Sequence, residues 1–92
     1  MARFSRLDVL TTMLDTGLVP VFYHADVAVA ENVVRVCAES GQKVVEFTNR
    51  GDFAPEIFKQ LAQTCAREYP GMILGVGSVI DEATAAMYIA YG

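Results

Sequence analysis

Three polar residues with complementary chemistry stand at alternate positions at the end of a short apolar run. The run 44–47 predicts a buried β-strand, and Glu46, Thr48 and Arg50 are each two residues apart. Residues two apart along a strand point to the same face, so we expect these side chains to project together at its carboxyl end. A carboxylate there can move protons, and a guanidinium can hold an anion through two parallel hydrogen bonds. The alternative is an ion pair between Glu46 and Arg50 that closes the rim of a sheet.

A glycine-rich segment after a second apolar run supplies another candidate. Ser78 lies in the segment Gly75-Val76-Gly77-Ser78-Val79, which follows a predicted strand and leads toward a helix. Glycines let the backbone approach a ligand closely, and the hydroxyl can donate a hydrogen bond. The segment lacks the third glycine of a dinucleotide fingerprint, so we expect no nicotinamide cofactor. The alternative is a tight strand-to-helix turn.

The single histidine, His24, follows the first predicted strand. It would lie at the same edge as Glu46 and Ser78, either lining the mouth of the site or merely solvated. His24, Glu46 and Asp52 have no recognised ligand spacing, so we expect no metal site. The two lysines, Lys43 and Lys59, are expected away from this edge, since Lys43 precedes its strand and Lys59 falls on a helix.

Helices and strands alternate along the chain and position these candidates. Apolar residues at helical spacing predict a leading helix over about residues 3–15, namely Phe4, Leu7, Leu10 and Leu14. Three strand–helix units follow over about residues 18–40, 43–69 and 72–91, with helix caps expected at Asp26, Asp52 and Asp81. The last helix is expected to carry an apolar face of Ala85, Ala86, Ile89 and Ala90. Such alternation predicts an α/β fold with a parallel sheet and right-handed crossovers.

Composition narrows the class of protein and of partner. The formal charge of −4 argues against nucleic acid and gives no support for binding anionic membranes. No apolar stretch is long enough to span a bilayer and no signal peptide is evident, so we expect a cytoplasmic protein. A hydrophobic fraction of 53% is rich for 92 residues and indicates faces that are covered by another chain or by a further part of the same chain. Three strands could form a small open sheet, but this surplus favours part of an eight-stranded barrel.

With these features in place, the chain resembles the N-terminal part of the 2-keto-3-deoxy-6-phosphogluconate aldolase family. That family includes the 4-hydroxy-2-oxoglutarate aldolases. The matching motifs are, in order, Val19-Pro20-Val21, Val45-Glu46-Phe47-Thr48-Asn49-Arg50 and Gly75-Val76-Gly77-Ser78-Val79. The resemblance implies a single partial α/β-barrel domain over 1–92, the N-terminal portion of a (β/α)8 TIM barrel.

The resemblance also implies a lyase: a class I, Schiff-base aldolase that forms pyruvate and an aldehyde, without a cofactor, usually as a homotrimer. Glu46 would be the catalytic acid and base, and Arg50 would hold the carboxylate of the 2-keto acid substrate. Ser78 stands where threonine is more common and would donate a hydrogen bond to that carboxylate, with Thr48 beside it. His24 has no settled role in the family pattern. The Schiff-base lysine of the family lies on a later strand, so we expect this chain alone to be inactive.

A second interpretation gives the chain no catalytic role. Three strands leave at least one sheet edge open, and apolar side chains near it would favour association of two or more copies. In this interpretation the protein is a self-assembling half-barrel module.

Overall fold

The alternation of helix and strand is realised along the whole described chain. A computed structural model describes residues 2–92. The elements, in chain order, are α1 (Arg6–Thr16), β1 (Val21–Phe22), α2 (Val27–Glu39), β2 (Val44–Thr48), α3 (Ala54–Glu68), β3 (Ile73–Gly77) and α4 (Glu82–Tyr91).

The three strands form one parallel sheet in the order β1-β2-β3. In register, Glu46 lies between Val21 of β1 and Gly75 of β3, and Thr48 pairs with Gly77. Because the strands are parallel and each connection contains a helix, the predicted α/β class with a parallel sheet is confirmed. The first strand is short and contains only Val21 and Phe22. Pro20 lies just before it, and the Pro20 carbonyl accepts a hydrogen bond from the Glu46 N–H at 2.8 Å.

One face of the sheet carries the core. Val45 and Phe47 of β2 are fully buried and pack with α2, α3 and α4. The apolar face of α3 is buried throughout and consists of Ile57, Phe58, Leu61, Ala62 and Cys65. Glu46 and Thr48 alternate with the core residues, so they point to the opposite face. Because one face of β2 is taken up by the core, catalytic or binding side chains of this strand can lie only on the face of Glu46 and Thr48.

Local signals set most helix ends. The Asp26 side chain accepts a hydrogen bond from the Ala28 N–H at 2.8 Å, and Asp81 accepts one from the Thr84 N–H at 2.7 Å. These two predicted caps are confirmed. The cap expected at Asp52 is wrong, because α3 begins after Phe53 and has no side-chain cap. Its first turn contains a proline, which has no N–H to satisfy.

Two helices present a different face from the one predicted. In α1 the exposed fractions are 72% for Leu7 and 84% for Leu14, and no residue of this helix is buried. In α4 the buried residue is Tyr88, whose ring meets Phe58 edge-on at 5.0 Å, while Ile89 is exposed.

Within residues 2–92, the structure contains no helix whose length and hydropathy would suit a membrane crossing.

Candidate functional site

The carboxyl ends of β2 and β3 meet at one edge of the sheet. Parallel pairing of Thr48 with Gly77 ends both strands at the same level. The segments that follow, beginning at Asn49 and Ser78, therefore leave the sheet side by side. Three of the sequence-predicted residues, Glu46, Arg50 and Ser78, lie on or next to this edge, which we call the carboxyl edge.

Glu46 lies in a space made by two glycines of the neighbouring strand. A Cβ atom added at Gly77 would collide with the Glu46 carboxylate and lie 2.7 Å from its Cδ. A Cβ added at Gly75 would meet nothing closer than the Val45 carbonyl oxygen at 4.0 Å. The carboxylate thus lies across the Gly77 backbone, and the sheet face above Gly75 is open. A small planar ligand could approach Glu46 from that side.

Thr48 is held within the sheet. Its side chain is buried, and the hydroxyl donates a hydrogen bond to the Phe22 carbonyl oxygen at 3.3 Å. That bond joins the end of β2 to the end of β1. The contribution of Thr48 is therefore to fix the carboxyl edge, since its hydroxyl proton is already donated to backbone.

Arg50 lies beyond the end of β2. Its backbone N–H donates to the Thr48 carbonyl oxygen at 2.9 Å, which turns the chain sharply. The strand alternation that relates Glu46 to Thr48 therefore does not extend to Arg50. The Arg50 side chain is exposed, and within residues 2–92 the only salt bridge joins Arg35 to Glu39 on α2. The alternative of a rim closed by a Glu46–Arg50 ion pair is not realised.

Ser78 has an unusual backbone conformation. Its φ of 60° is positive, and no other non-glycine residue in the described part of the chain shares this feature. A left-handed conformation costs a residue with a Cβ roughly 1–2 kcal/mol. Such local strain clusters at ligand sites, where the fold holds a polar group in a set position. The conformation directs the chain from β3 into the loop before α4 and leaves Ser78 exposed.

His24 has a local role at the start of α2. Its Nδ1 atom accepts a hydrogen bond from the Asp26 N–H at 3.0 Å, so in this geometry the ring proton is on Nε2. The side chain is exposed, and Asp26 caps the helix.

No group of three His, Cys, Asp or Glu side chains among residues 2–92 is arranged to hold a metal ion.

Neither lysine lies at the carboxyl edge. Lys43 directly precedes β2, and its carbonyl oxygen accepts a hydrogen bond from the Ile73 N–H at 2.8 Å at the opposite end of the sheet. Lys59 lies on α3, where its ammonium group is 5.5 Å from the centre of the Tyr91 ring. A Schiff base at the carboxyl edge would require a lysine from elsewhere.

Sequence reasoning missed the residues that hold the Arg50 segment. Asn49 donates its N–H to the Gly77 carbonyl oxygen at 2.9 Å, and its side-chain oxygen accepts a bond from the Tyr88 hydroxyl at 2.7 Å. On the other side, the Tyr23 hydroxyl lies against Gly51, where an added Cβ would collide with it. In the sequence, Asn49 is noticeable because it is next to Arg50, and Tyr23 because it follows the first apolar run and could line the mouth of the site. Tyr88 gave no signal, because it is 39 residues away from Asn49.

No protein-family model matches this sequence, and no curated protein matches it either. A functional interpretation therefore depends on the side chains of the carboxyl edge and on their motifs.

Proposed function

We propose that this chain supplies the acid–base and carboxylate-binding part of a pyruvate-forming, class I aldolase active site. The substrate would be 2-keto-3-deoxy-6-phosphogluconate or 4-hydroxy-2-oxoglutarate, as in the family that the motifs resemble. The three strand–helix units would be the first part of a (β/α)8 barrel. A site at the carboxyl ends of parallel strands is the arrangement that such barrels use.

The observation that carries the proposal is the separation of Glu46 from Arg50. An ion pair would neutralise both groups and leave nothing for a substrate. Instead, the Glu46 carboxylate lies over Gly77, and Arg50 extends from the adjacent turn without an ion-pair partner within residues 2–92. Carboxylate and guanidinium are thus both free to meet a ligand from the same edge.

The chemistry assigns a different task to each group. In retro-aldol cleavage a base removes the proton of the substrate hydroxyl. The bond from the carbon that carries this hydroxyl to the carbon next to the keto position then breaks, and the hydroxyl carbon leaves as the aldehyde. The electron pair moves toward the former keto carbon, which a lysine has converted to an imine, and a proton later returns to the new carbon centre. Glu46 would move these protons. Arg50 would hold the substrate carboxylate through two hydrogen bonds, and the Ser78 hydroxyl would donate a third.

The imine-forming lysine would come from another chain segment or subunit, because Lys43 and Lys59 lie away from this edge. We therefore expect no appreciable aldolase turnover from the isolated chain. Borohydride reduction in the presence of pyruvate, followed by mass spectrometry, should reveal no adduct. An adduct on Lys43 or Lys59, with turnover lost in the corresponding Arg variant, would contradict the proposal that the imine-forming lysine comes from another chain segment or subunit.

Binding of pyruvate tests the residues that the chain does contain. A pyruvate titration followed by ¹H–¹⁵N NMR should shift the amides of Arg50 and Ser78, with a weak dissociation constant of roughly 1–10 mM. The variant Arg50→Gln should remove the shifts, whereas Arg67→Gln, an exposed arginine at the end of α3, should keep them. Absence of any shift at Arg50 and Ser78 in the wild-type chain would refute the proposal.

A second candidate, a non-catalytic self-assembling module, is favoured by one specific observation. An apolar cleft of about 280 Å³ follows the open side of β3, and its lining includes Phe58, Leu74, Val76, Val79, Tyr88 and Ile89. Glu46, Arg50 and Ser78 are not among the residues that line this cleft. Association without any pyruvate binding would support this second function over the first.

A further inference from the structure

The direction of the Arg50 side chain depends on how its backbone is held. The side chain is exposed and forms no ion pair in the described part of the chain. Its orientation therefore has to come from the turn that carries it. That turn starts at Asn49 and continues through Gly51 into α3.

Asn49 is bound from two directions. Its N–H donates to the Gly77 carbonyl oxygen at 2.9 Å, which extends the ladder between β2 and β3 by one bond. Its side-chain Oδ1 accepts a hydrogen bond from the Tyr88 hydroxyl at 2.7 Å. The backbone bond fixes the position of Asn49, and the side-chain bond also fixes its rotation. The next residue, Arg50, leaves the sheet in a direction set by both.

Tyr88 is suited to hold a bond of this kind. Only 2% of the residue is exposed, and its ring packs edge-on against Phe58 at 5.0 Å. The ring is therefore anchored by α3, and the hydroxyl reaches from α4 to the carboxyl edge. Burial also raises the pKa of the Tyr88 hydroxyl, with smaller contributions from Glu56 and Tyr91, which keeps the proton available for donation.

We propose that Tyr88 is a positioning residue for Arg50: its hydroxyl holds Asn49, and this bond sets the turn from which the guanidinium reaches the substrate. The inference rests on the proposed function of Arg50 as the carboxylate-binding group. Tyr88 itself touches no substrate. It links the last helix to the site, so the docking of α4 becomes a condition for binding of the substrate carboxylate.

The test removes the hydroxyl and keeps the ring. Tyr88→Phe retains the contact with Phe58 but leaves the Asn49 oxygen without this donor. The matched control is Tyr91→Phe, because Tyr91 is on the same helix and its hydroxyl has no hydrogen bond among residues 2–92. We expect Tyr88→Phe to speed hydrogen exchange roughly tenfold at the Asn49 and Arg50 amides, which donate to the Gly77 and Thr48 carbonyl oxygens, and to weaken pyruvate binding by a similar factor. Tyr91→Phe should change neither.

A double-mutant cycle shows whether Tyr88 acts through Asn49. Asn49→Ala removes the same hydrogen bond from its other end, so the double variant should bind pyruvate no more weakly than Asn49→Ala alone. Additive losses would overturn the inference, as would unchanged exchange at Arg50 in Tyr88→Phe. The exchange experiment needs no ligand. A wild-type chain that does not bind pyruvate would therefore refute the proposed function, while the exchange rates still decide whether Tyr88 holds the turn.

Discussion

Replacement of Gly77 by alanine should move the Glu46 carboxylate while leaving the fold intact. The added Cβ would collide with the carboxylate and lie 2.7 Å from Cδ and 3.5 Å from Cγ. The Oε1, Cδ and Cγ atoms of Glu46 all belong to the outer part of a flexible side chain, so Glu46 can rotate away. Gly75→Ala is the matched control, because it adds the same atom to the same strand but meets only the Val45 carbonyl oxygen at 4.0 Å.

The two substitutions should differ in stability by the cost of moving Glu46. Alanine in place of glycine, at a backbone conformation it can adopt, stabilises a protein by about 0.4–1 kcal/mol. Gly75 and Gly77 both have such conformations, since neither has a positive φ. A side chain driven away from its preferred rotamer costs about 0.5–1.5 kcal/mol. We therefore expect a gain for Gly75→Ala and a net change within about 1 kcal/mol of zero for Gly77→Ala.

Urea unfolding gives the two free energies, and the ¹³C resonance of the Glu46 carboxyl group reports its surroundings. Gly77→Ala should shift that resonance and reduce pyruvate binding, while Gly75→Ala should leave the resonance near its wild-type position. A Glu46 resonance unchanged in Gly77→Ala would show that the carboxylate does not lie across Gly77. Unfolding of the Gly77→Ala chain would show that the neighbouring strand cannot accommodate the atom.

Three further predictions concern stability and assembly. Burial raises the pKa of the Cys65 thiol from 9.0 to about 11, so the folded state keeps a proton that the unfolded chain releases. The contribution of Cys65 to the free energy of unfolding should thus be fully present below pH 9.0 and should fall by at most roughly 3 kcal/mol as the pH rises to about 11. Urea unfolding should show a smaller loss over this pH range in Cys65→Ala. Ser78→Gly should raise the unfolding free energy by about 1 kcal/mol, because glycine adopts a φ of 60° without strain, and Ser78→Ala should give no such gain. Ile89 is 55% exposed beside the apolar cleft. Ile89→Lys should therefore weaken the self-association that we expect in analytical ultracentrifugation, and a compact wild-type monomer at micromolar concentration would contradict that expectation.

The order of the elements follows from local features of the sequence. Asp26 and Asp81 cap helices by bonds to backbone groups only two or three residues away. Gly17 and Gly41 end helices because both adopt a positive φ, of 66° and 89°. The apolar run at β2 and the helical spacing of α3 each predict an element without reference to any other. Interactions of this range are encoded in neighbouring residues, so sequence reasoning finds them.

The choice of helix face was not predictable in the same way. Leu7 and Leu14 give α1 a regular apolar stripe, yet both are exposed, and the half-buried apolar side chains on the opposite side are Val9 and Met13. Periodicity identifies a helix and its apolar residues, but α1 has apolar residues on two sides. Which side packs depends on the surface that the sheet offers, and that surface forms only in the folded chain.

The features of the candidate site likewise fall into those that the sequence predicts and those that only the folded structure sets. The sequence by itself determined that Glu46 lies within an apolar strand, that Arg50 and Ser78 come just after strand ends, and that parallel strands bring such ends together. Only the tertiary structure decided that Thr48 donates its hydroxyl to the neighbouring strand and that Asn49 bonds to Tyr88. These bonds join residues 26 and 39 positions apart. Contacts between such distant residues depend on register and on helix rotation, and packing of the whole core sets both.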